Sequence, residues 1–314
     1  MLTLSRRDFL AAAAILAARA YGAAGAATFF GRTGLPIGLQ LYTVGDDLNR
    51  DFDGTLAAVA KIGYRSVELA GLSQHTVAEW RQALDRTHLK CPSMHVPPHA
   101  KSGLSLDDLG ALADAAHALG AGTLICPIFN FPERFSTTPL PGEDGGKMLA
   151  RVGAAMTADD WKRNADYLNT KGKALKAYGL RFGYHNHNVE LAPLGAGNGL
   201  TELIRGTDPE LVMFEMDAGW VVAAGADPLA LLAAYPNRFG AMHVKDVKAG
   251  THPNFSLQMD PCEVGQGTID WKVLLAKAYA ANVHQFYVEQ EPPFNKPRLE
   301  SVAISFNYLN NLVA

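Results

Sequence analysis

The stretch GYHNHNVE, residues 183–190, places two imidazoles and a carboxylate directly after an apolar run that is typical of a buried strand. Imidazoles and carboxylates bind divalent metals and transfer protons, whereas a buried strand normally presents apolar side chains. His185 and His187 are two residues apart, so alternation along a strand points both to the same side. Glu190 follows three residues later. We therefore expect this segment to deliver a metal ligand and a proton-transfer group to one site.

Further polar residues occupy the same position in other apolar runs of the chain. At the ends of these runs stand Glu68, His95, Asp217, His243, Lys245 and Glu289. A single member has an ordinary structural explanation, such as a helix cap for Asp217. The set is harder to explain in that way, because buried charges are costly unless they are paired or bound to a metal. Two imidazoles with two carboxylates suit Mn, Co, Fe or Zn better than Mg or Ca.

The elements that must position these residues alternate regularly from residue 35 onward. Eight short apolar runs are each followed by a pattern with apolar residues at i, i+3 and i+4, which indicates amphipathic helices. This predicts a single (β/α)8 TIM barrel over residues 35–314, with the carboxyl ends of all eight strands on one rim. The alternative, a doubly wound open sheet, normally has a glycine-rich turn after its first strand, and LQLYTVGDDL has none. Two long connections, 130–156 and 248–267, follow strands and are expected on the active-site face.

Composition and the N-terminal segment limit the partners and the compartment. A net charge of −3 with no basic cluster argues against nucleic acid as a partner. Residues 1–26 contain SRRDFL followed by an alanine-rich apolar run, which resembles a bacterial twin-arginine export signal. The alternative is an ordinary N-terminal helix. The resemblance implies a periplasmic protein without a stable membrane anchor after signal cleavage. The three cysteines are widely spaced and predict no disulfide framework.

Several motifs resemble the xylose-isomerase-like superfamily of sugar isomerases and epimerases. These motifs are GLQLYTV, MDAGW followed by AGADP, HVKD and YVEQE, and YHNH is nearest to the inosose dehydratase-like members. The resemblance implies one divalent metal bound by the residues that end strands five to eight. By position these residues are His185, Asp217, His243 and Glu289. The first departs from the glutamate of the ketose epimerases, so His187 and Glu190 remain alternatives for that ligand.

The resemblance also implies the chemistry, which is enolisation of a small carbohydrate by an isomerase, an epimerase or a lyase. A histidine in place of the first glutamate makes the metal shell less anionic, which favours loss or addition of a β-group over two-base inversion. We expect acid–base roles for Glu289, Glu190, His187 and Lys245. We expect Glu68 and His95 to contact the substrate.

The expected substrate is a non-phosphorylated keto-sugar or keto-glycoside, because sugar phosphates are mainly cytosolic. Two other classes of protein are alternatives. A periplasmic sugar-binding protein without catalysis would not need a metal shell. A nuclease of the endonuclease IV type would use a multi-zinc cluster, and the acidic charge opposes it. The sequence leaves a homo-oligomer open.

Overall fold

The computed structural model describes residues 27–100, 103–136 and 138–314 of the 314-residue chain. Eight parallel strands close into one barrel, and each strand pairs with its neighbours in chain order. This confirms the predicted single (β/α)8 barrel. In order, β1 to β8 are Gly38–Gln40, Ser66–Leu69, Lys90–His95, Thr123–Cys126, Arg181–His185, Met213–Asp217, Phe239–Val244 and Gln285–Val288.

Twelve α-helices are present in the described part of the chain. In order, α1 to α12 are Phe29–Thr33, Gly45–Arg50, Phe52–Ile62, Val77–Thr87, Leu109–Leu119, Gly145–Ala154, Ala158–Lys176, Gly199–Gly206, Ala218–Ala223, Pro228–Ala234, Trp271–Ala280 and Arg298–Asn311. Side-chain caps fix several of their starts. Thr76 and Glu79 form a reciprocal capping box at α4, and Thr157 and Asp160 form another at α7. Within the described residues, no helix combines the length and apolar character needed to cross a bilayer.

The strand register determines which polar side chains become neighbours inside the barrel. Glu68 on β2 lies opposite Gln40 on β1 and Ser93 on β3. Farther round the barrel, His185 on β5 pairs with Glu215 on β6. Because side chains alternate along each strand, these residues can point together into one space at the carboxyl ends.

The structure differs from the sequence prediction mainly at element ends. The apolar run 36–44 forms a strand only as far as Gln40, and Leu41–Val44 is a 3₁₀ turn. The connection 130–156 contains helix α6, which the sequence pattern did not indicate. The connection 248–267 is fixed at its base by a two-residue ribbon, in which Asp246–Val247 pairs with Pro261–Cys262. The three cysteines are free and buried.

Residues 1–26, with the predicted export signal, lie outside the described residues. The described chain begins next to its own C-terminus, because the backbone N–H of Phe29 donates to the carbonyl of Leu312 over 2.8 Å. Phe29 is completely buried, and its ring meets Phe286 edge-on with centroids 5.8 Å apart. Helix α1 therefore packs on the strand β8 side of the barrel.

Candidate metal centre and active site

Four of the predicted metal ligands converge at the carboxyl ends of β5 to β8. We call His185, Asp217, His243 and Glu289 the outer group. Each offers one nitrogen or oxygen atom, and these four atoms lie within 4.8 Å of one another. His243 Nδ1 is 2.9 Å from Glu289 Oε2 and 3.7 Å from Asp217 Oδ2, and His185 Nε2 is 3.8 Å from the same Asp217 oxygen. All four side chains are buried.

Asp217 serves two purposes at once. Its Oδ1 accepts a hydrogen bond of 2.9 Å from the backbone N–H of Trp220 and so caps helix α9. Its Oδ2 is buried in the cluster and accepts no hydrogen bond of suitable geometry. Lys245 Nζ lies 2.8 Å from this oxygen. Because a buried carboxylate is costly unless a positive charge lies beside it, Asp217 Oδ2 is suited to an ammonium or a metal ion.

A second set of ligand atoms lies beside the outer group, on its barrel-interior side. We call His95, His185, Glu215 and His243 the inner group, and its ligand atoms also lie within 4.8 Å of one another. Glu215 Oε2 is 2.9 Å from His95 Nε2, 3.1 Å from His185 Nδ1 and 3.1 Å from His243 Nε2. Sequence reasoning missed Glu215. The signal was present, because Glu215 is two residues before Asp217 and therefore shares its side of the strand.

Glu68, predicted to contact the substrate, lies beneath this cluster and is fully buried. Its Oε2 is 2.8 Å from His243 Nε2 and 3.1 Å from His95 Nε2, and it accepts a bond of 2.8 Å from the amide of Gln40. Ser93 Oγ donates to its other oxygen. In this structure Glu68 therefore supports two imidazoles and does not line the pocket. His95 does line it.

Lys245 is completely buried among carboxylates. Its Nζ is 2.8 Å from Asp217 Oδ2, 2.8 Å from Glu289 Oε2 and 2.7 Å from Glu291 Oε1. It also lies 4.9 Å from the centroid of the Trp220 ring, over its face. A side chain at Gly219 would not fit here, because a Cβ would come within 2.7 Å of Lys245 Cγ and 2.9 Å of its carbonyl oxygen. The glycine of the MDAGW motif thus leaves the space that the Lys245 side chain occupies.

The two remaining predicted residues follow the end of β5 and have different surroundings. His187 lines the pocket, its ring centroid is 4.9 Å from that of His185, and its buried Nδ1 has no partner. Glu190 is buried in a 3₁₀ turn and does not line the pocket. It accepts a bond of 2.6 Å from the Tyr184 hydroxyl and one of 2.9 Å from the backbone N–H of His187. Glu190 is thus placed to hold His187 in position.

The three histidines of the inner group differ in pKa when no metal is bound, because their neighbours differ in charge. Burial, reinforced by the neighbouring His243, lowers the pKa of His185 to about 4. Burial would also lower the pKa of His95, but the carboxylates of Glu68 and Glu215 outweigh it and raise the value to about 9. For His243 the same opposition, mainly with Glu215 and Glu289, raises the pKa well above its usual range. His185 is therefore neutral and ready to bind a metal at pH 7, whereas His95 and His243 carry protons that a metal would displace.

The cluster opens into a pocket of about 480 Å³ at the rim of the barrel. Its inner end is polar, with His95, His185, His187, Glu289 and Glu291. Its outer part is largely apolar and includes Tyr42, Ile128, Phe131, Met148, Leu149, Trp220 and Leu257. Both long connections contribute, because Met148 and Leu149 lie on α6 and Leu257 lies in 248–267. No lysine or arginine of the described chain lines this pocket.

Sequence comparison finds dehydratases among the curated relatives of the chain. An inosose dehydratase from Clostridium beijerinckii is 35% identical in an alignment of 222 positions that covers 65% of this chain and 66% of that protein. An inosose dehydratase from Clostridium tetani is 36% identical in an alignment of 96 positions that covers 29% of this chain and 30% of that protein. The chain thus spans less than two thirds of the length of these relatives.

Structural comparison finds barrels of the same architecture. A sugar phosphate isomerase/epimerase from Parabacteroides distasonis superposes with a TM-score of 0.70 at 23% identity, covering 88% of this chain and 98% of that one. The IolI protein, whose crystal structure contains a bound zinc atom, superposes with a TM-score of 0.63 at 15% identity, covering 89% and 98%. At these identities the likeness concerns the fold.

The family comparison covers most of the barrel. Residues 56–311, from helix α3 to the end of helix α12, match the family described as xylose isomerase-like TIM barrel. This range contains every residue of the outer and inner groups. The chain therefore belongs to the xylose isomerase-like TIM barrel family.

Proposed function

We propose that the protein is a divalent-metal-dependent enzyme that acts by enolisation on a non-phosphorylated keto-sugar or keto-glycoside. The observation that carries this proposal is the outer group, in which two imidazoles and two carboxylates lie within 4.8 Å of one another at the strand ends. Asp217 Oδ2, which is buried and accepts no hydrogen bond of suitable geometry, and the mixed nitrogen and oxygen donors fit an ion such as Mn, Co, Fe or Zn. When bound, such an ion supplies a Lewis acid for a carbonyl or hydroxyl oxygen of the substrate.

In this proposal His185, Asp217, His243 and Glu289 hold the ion during catalysis. Glu289 and His185 line the pocket, so the group that would hold the ion is open toward the space for the substrate. Imidazoles and two carboxylates around a divalent ion sum to a charge of about zero. An ion in such a shell should be a stronger Lewis acid toward the substrate than an ion in the more anionic shell of the ketose epimerases.

Proton transfer falls to side chains of the pocket. A base removes the proton from the carbon next to the carbonyl, and the bonding electrons move to the carbonyl oxygen to give an enediolate. His187 is the best-placed base, because its ring faces the pocket and its Nδ1 has no partner. Returning the proton at carbon gives isomerisation or epimerisation. If a β-substituent leaves instead, Lys245 supplies its proton through Glu291, which lines the pocket 2.7 Å from the ammonium.

The reaction class within this scheme follows from two features. The curated relatives are named inosose dehydratase, which is a lyase activity on a cyclic ketone. The outer group of this chain starts with a histidine, which favours loss of a β-group for the reason of charge given above. We therefore rank a lyase or dehydratase reaction before isomerisation or epimerisation.

The pocket favours a substrate without phosphate. Phosphate esters are often bound by arginine or lysine, and no such side chain of the described chain lines this pocket. The N-terminus of α6 does line it, at Gly145 and Gly146. Two carboxylates, Glu289 and Glu291, face the pocket and would repel a phosphate. The apolar outer part is suited to a sugar ring stacked on Trp220 or to the second group of a glycoside.

Incubation with a substrate panel tests this proposal. Metal-replete protein and protein treated with a chelator are each given keto-sugars, keto-glycosides and matched phosphate esters, and products are followed by NMR. We expect turnover of non-phosphorylated compounds by the metal-replete protein alone. Stoichiometric sugar binding without turnover would instead indicate a binding protein. Turnover confined to phosphate esters would overturn the substrate class.

We also propose export by the twin-arginine route, on the strength of SRRDFL and the apolar run that follows it. The protein would then act in the periplasm after cleavage near residues 20–27. Fractionation of cells that express the full chain tests this, with Arg6→Lys/Arg7→Lys as the comparison. Mature protein in the periplasm of the wild type and precursor in the cytoplasm of the variant are expected. Equal distribution of the two would contradict export.

A further inference from the structure

Lys245 already occupies the position of a cation beside the outer group. Its ammonium is 2.8 Å from both Asp217 Oδ2 and Glu289 Oε2, the two carboxylate oxygens that face the outer ring nitrogens. A divalent ion bound to the same two oxygens would come close to this positive charge, and the two would repel each other. The lysine is completely buried and cannot turn out into water.

The inner group has no lysine or arginine among its described neighbours. Its carboxylate, Glu215, is approached only by imidazoles, and its Oε1 is buried without a partner. With Glu68 beside it, the site holds two buried negative charges. One divalent ion with three neutral imidazoles would balance these charges, and so would two protons on the imidazoles.

The spacing of the inner ligand atoms suits a tetrahedral ion. Bonds of about 2.1 Å in a tetrahedral shell separate neighbouring ligand atoms by about 3.4 Å. Glu215 Oε2 is 2.9–3.1 Å from the nearest nitrogens of His95, His185 and His243, so shifts of a few tenths of an ångström would suffice. His95 and His185 line the pocket and give an ion a path inward.

We propose that His95, His185, Glu215 and His243 form a second divalent-metal site, the tighter of the two in the protein without substrate. Three imidazoles and one carboxylate suit Zn²⁺ or Co²⁺ better than Mg²⁺ or Ca²⁺. Glu68, which reaches the same nitrogens of His95 and His243, adds a second negative charge next to the ion. This inference does not depend on which reaction the protein catalyses.

The two groups share His185 and His243, and this sharing sets the stoichiometry. A neutral imidazole has one lone pair for a metal and one N–H. For a ring to bind two ions, it would have to lose its last N–H. An ion in the inner site therefore leaves His243 Nδ1 to donate to Glu289, and an ion in the outer group leaves Nε2 to donate to Glu215 or Glu68. One ion per chain is expected, in either position.

X-ray absorption at the zinc or cobalt edge of the substrate-free protein tests the inference, because scattering by imidazole rings counts the histidine ligands. The inner site has three and the outer group has two. We expect three in the wild type. His95→Ala, which removes a ligand of the inner group alone, should reduce the count to two and weaken Zn²⁺ binding by at least 10- to 100-fold. Glu289→Gln, which alters the outer group alone, should keep all three.

The outcomes separate this inference from the proposed function. Two imidazoles in the wild type, unchanged in His95→Ala, would overturn the inner site and leave metal-dependent catalysis intact. Protein that binds none of Zn²⁺, Co²⁺, Mn²⁺ and Fe²⁺ would overturn both. Three imidazoles that persist in Glu289→Gln and fall to two in His95→Ala would establish the inner site, whatever activity the loaded protein shows.

Discussion

Replacement of Lys245 by methionine should destabilise the protein strongly when no metal is present. Methionine keeps most of the length and apolar volume of the side chain but removes the ammonium, whose Nζ is 2.8 Å from both Asp217 Oδ2 and Glu289 Oε2. Burial would lower the pKa of Lys245, yet these carboxylates raise it well above its usual range, so the wild-type ammonium is charged at neutral pH. Breaking a buried ion pair costs about 3–5 kcal/mol, because it leaves an unpaired buried charge. Glu291 adds little to this loss, since its side chain is 24% exposed.

The free energy of unfolding, measured by urea denaturation in EDTA, gives the size of this effect. Lys248→Met is the matched control. Its Nζ is 3.1 Å from Asp260 Oδ1, but the two side chains are 38% and 48% exposed, so the loss should stay below about 1 kcal/mol. Added Zn²⁺ or Mn²⁺ should recover more stability in Lys245→Met than in the wild type, because the ion then replaces the missing charge. Free metal ion at 100 times its dissociation constant adds about 2.7 kcal/mol to the free energy of unfolding.

Catalytic measurements on the same variant complete the test. Turnover should fall by roughly 10²- to 10⁴-fold, the usual range for loss of a proton-transfer group, while metal content stays near one ion per chain. A loss of stability no larger than that of Lys248→Met would refute the claim that the Lys245 ammonium stabilises the buried carboxylates of Asp217 and Glu289. Loss of the metal together with turnover would assign Lys245 to support of the ligands instead of proton transfer.

Three further changes test other parts of the account. His187→Ala should lower the turnover number by roughly 10²- to 10⁴-fold without loss of metal. The control His99→Ala, at an exposed histidine, should change neither the turnover number nor the metal content, and an equal fall in turnover in the two variants would exclude His187 as the base. His185→Glu should slow β-elimination by roughly 10- to 100-fold, measured as product release, while proton exchange persists; full elimination activity would show that His185 does not select the reaction. Asp160→Asn should lower the free energy of unfolding by about 1–2 kcal/mol at pH 7, because Asp160 loses its charged bonds to Arg134. Those bonds outweigh burial and hold the folded-state pKa of Asp160 below its unfolded value near 4, so the difference between wild type and variant should shrink as the pH falls below about 4; a constant difference would contradict this.

The barrel and much of the cluster were predictable because they depend on local periodicity. Strand and helix patterns fix the element order, and the (β/α)8 arrangement then places every strand end on one rim. Asp217 and His243 could be placed by this rule alone, since both lie in the last two residues of their strands. The Thr76 capping box likewise follows from residues three apart.

The rest required distances between strands, which one sequence does not contain. Strand β5 ends at His185, two residues before His187, which the sequence left as an alternative for the same ligand, and the chain turns so that Tyr184 can hold Glu190. Glu215 was overlooked, because a position two residues inside a strand end usually belongs to the core. The position of Lys245 between two carboxylates depends on how β6, β7 and β8 meet, and such tertiary contacts are set by packing across the barrel.

The measurement that tests the central claim most directly is solvent deuterium incorporation at the carbon next to the carbonyl of a non-phosphorylated keto-sugar or keto-glycoside. Metal-replete protein, chelator-treated protein and chelator-treated protein with the ion restored are incubated with the substrate in D2O and examined by NMR. Enolisation promoted by the metal predicts deuterium at that carbon in the remaining substrate or in the product. It also predicts loss of exchange on chelation and recovery when the ion is returned. Product formed without any deuterium from solvent, or at the same rate after complete metal removal, would contradict the account.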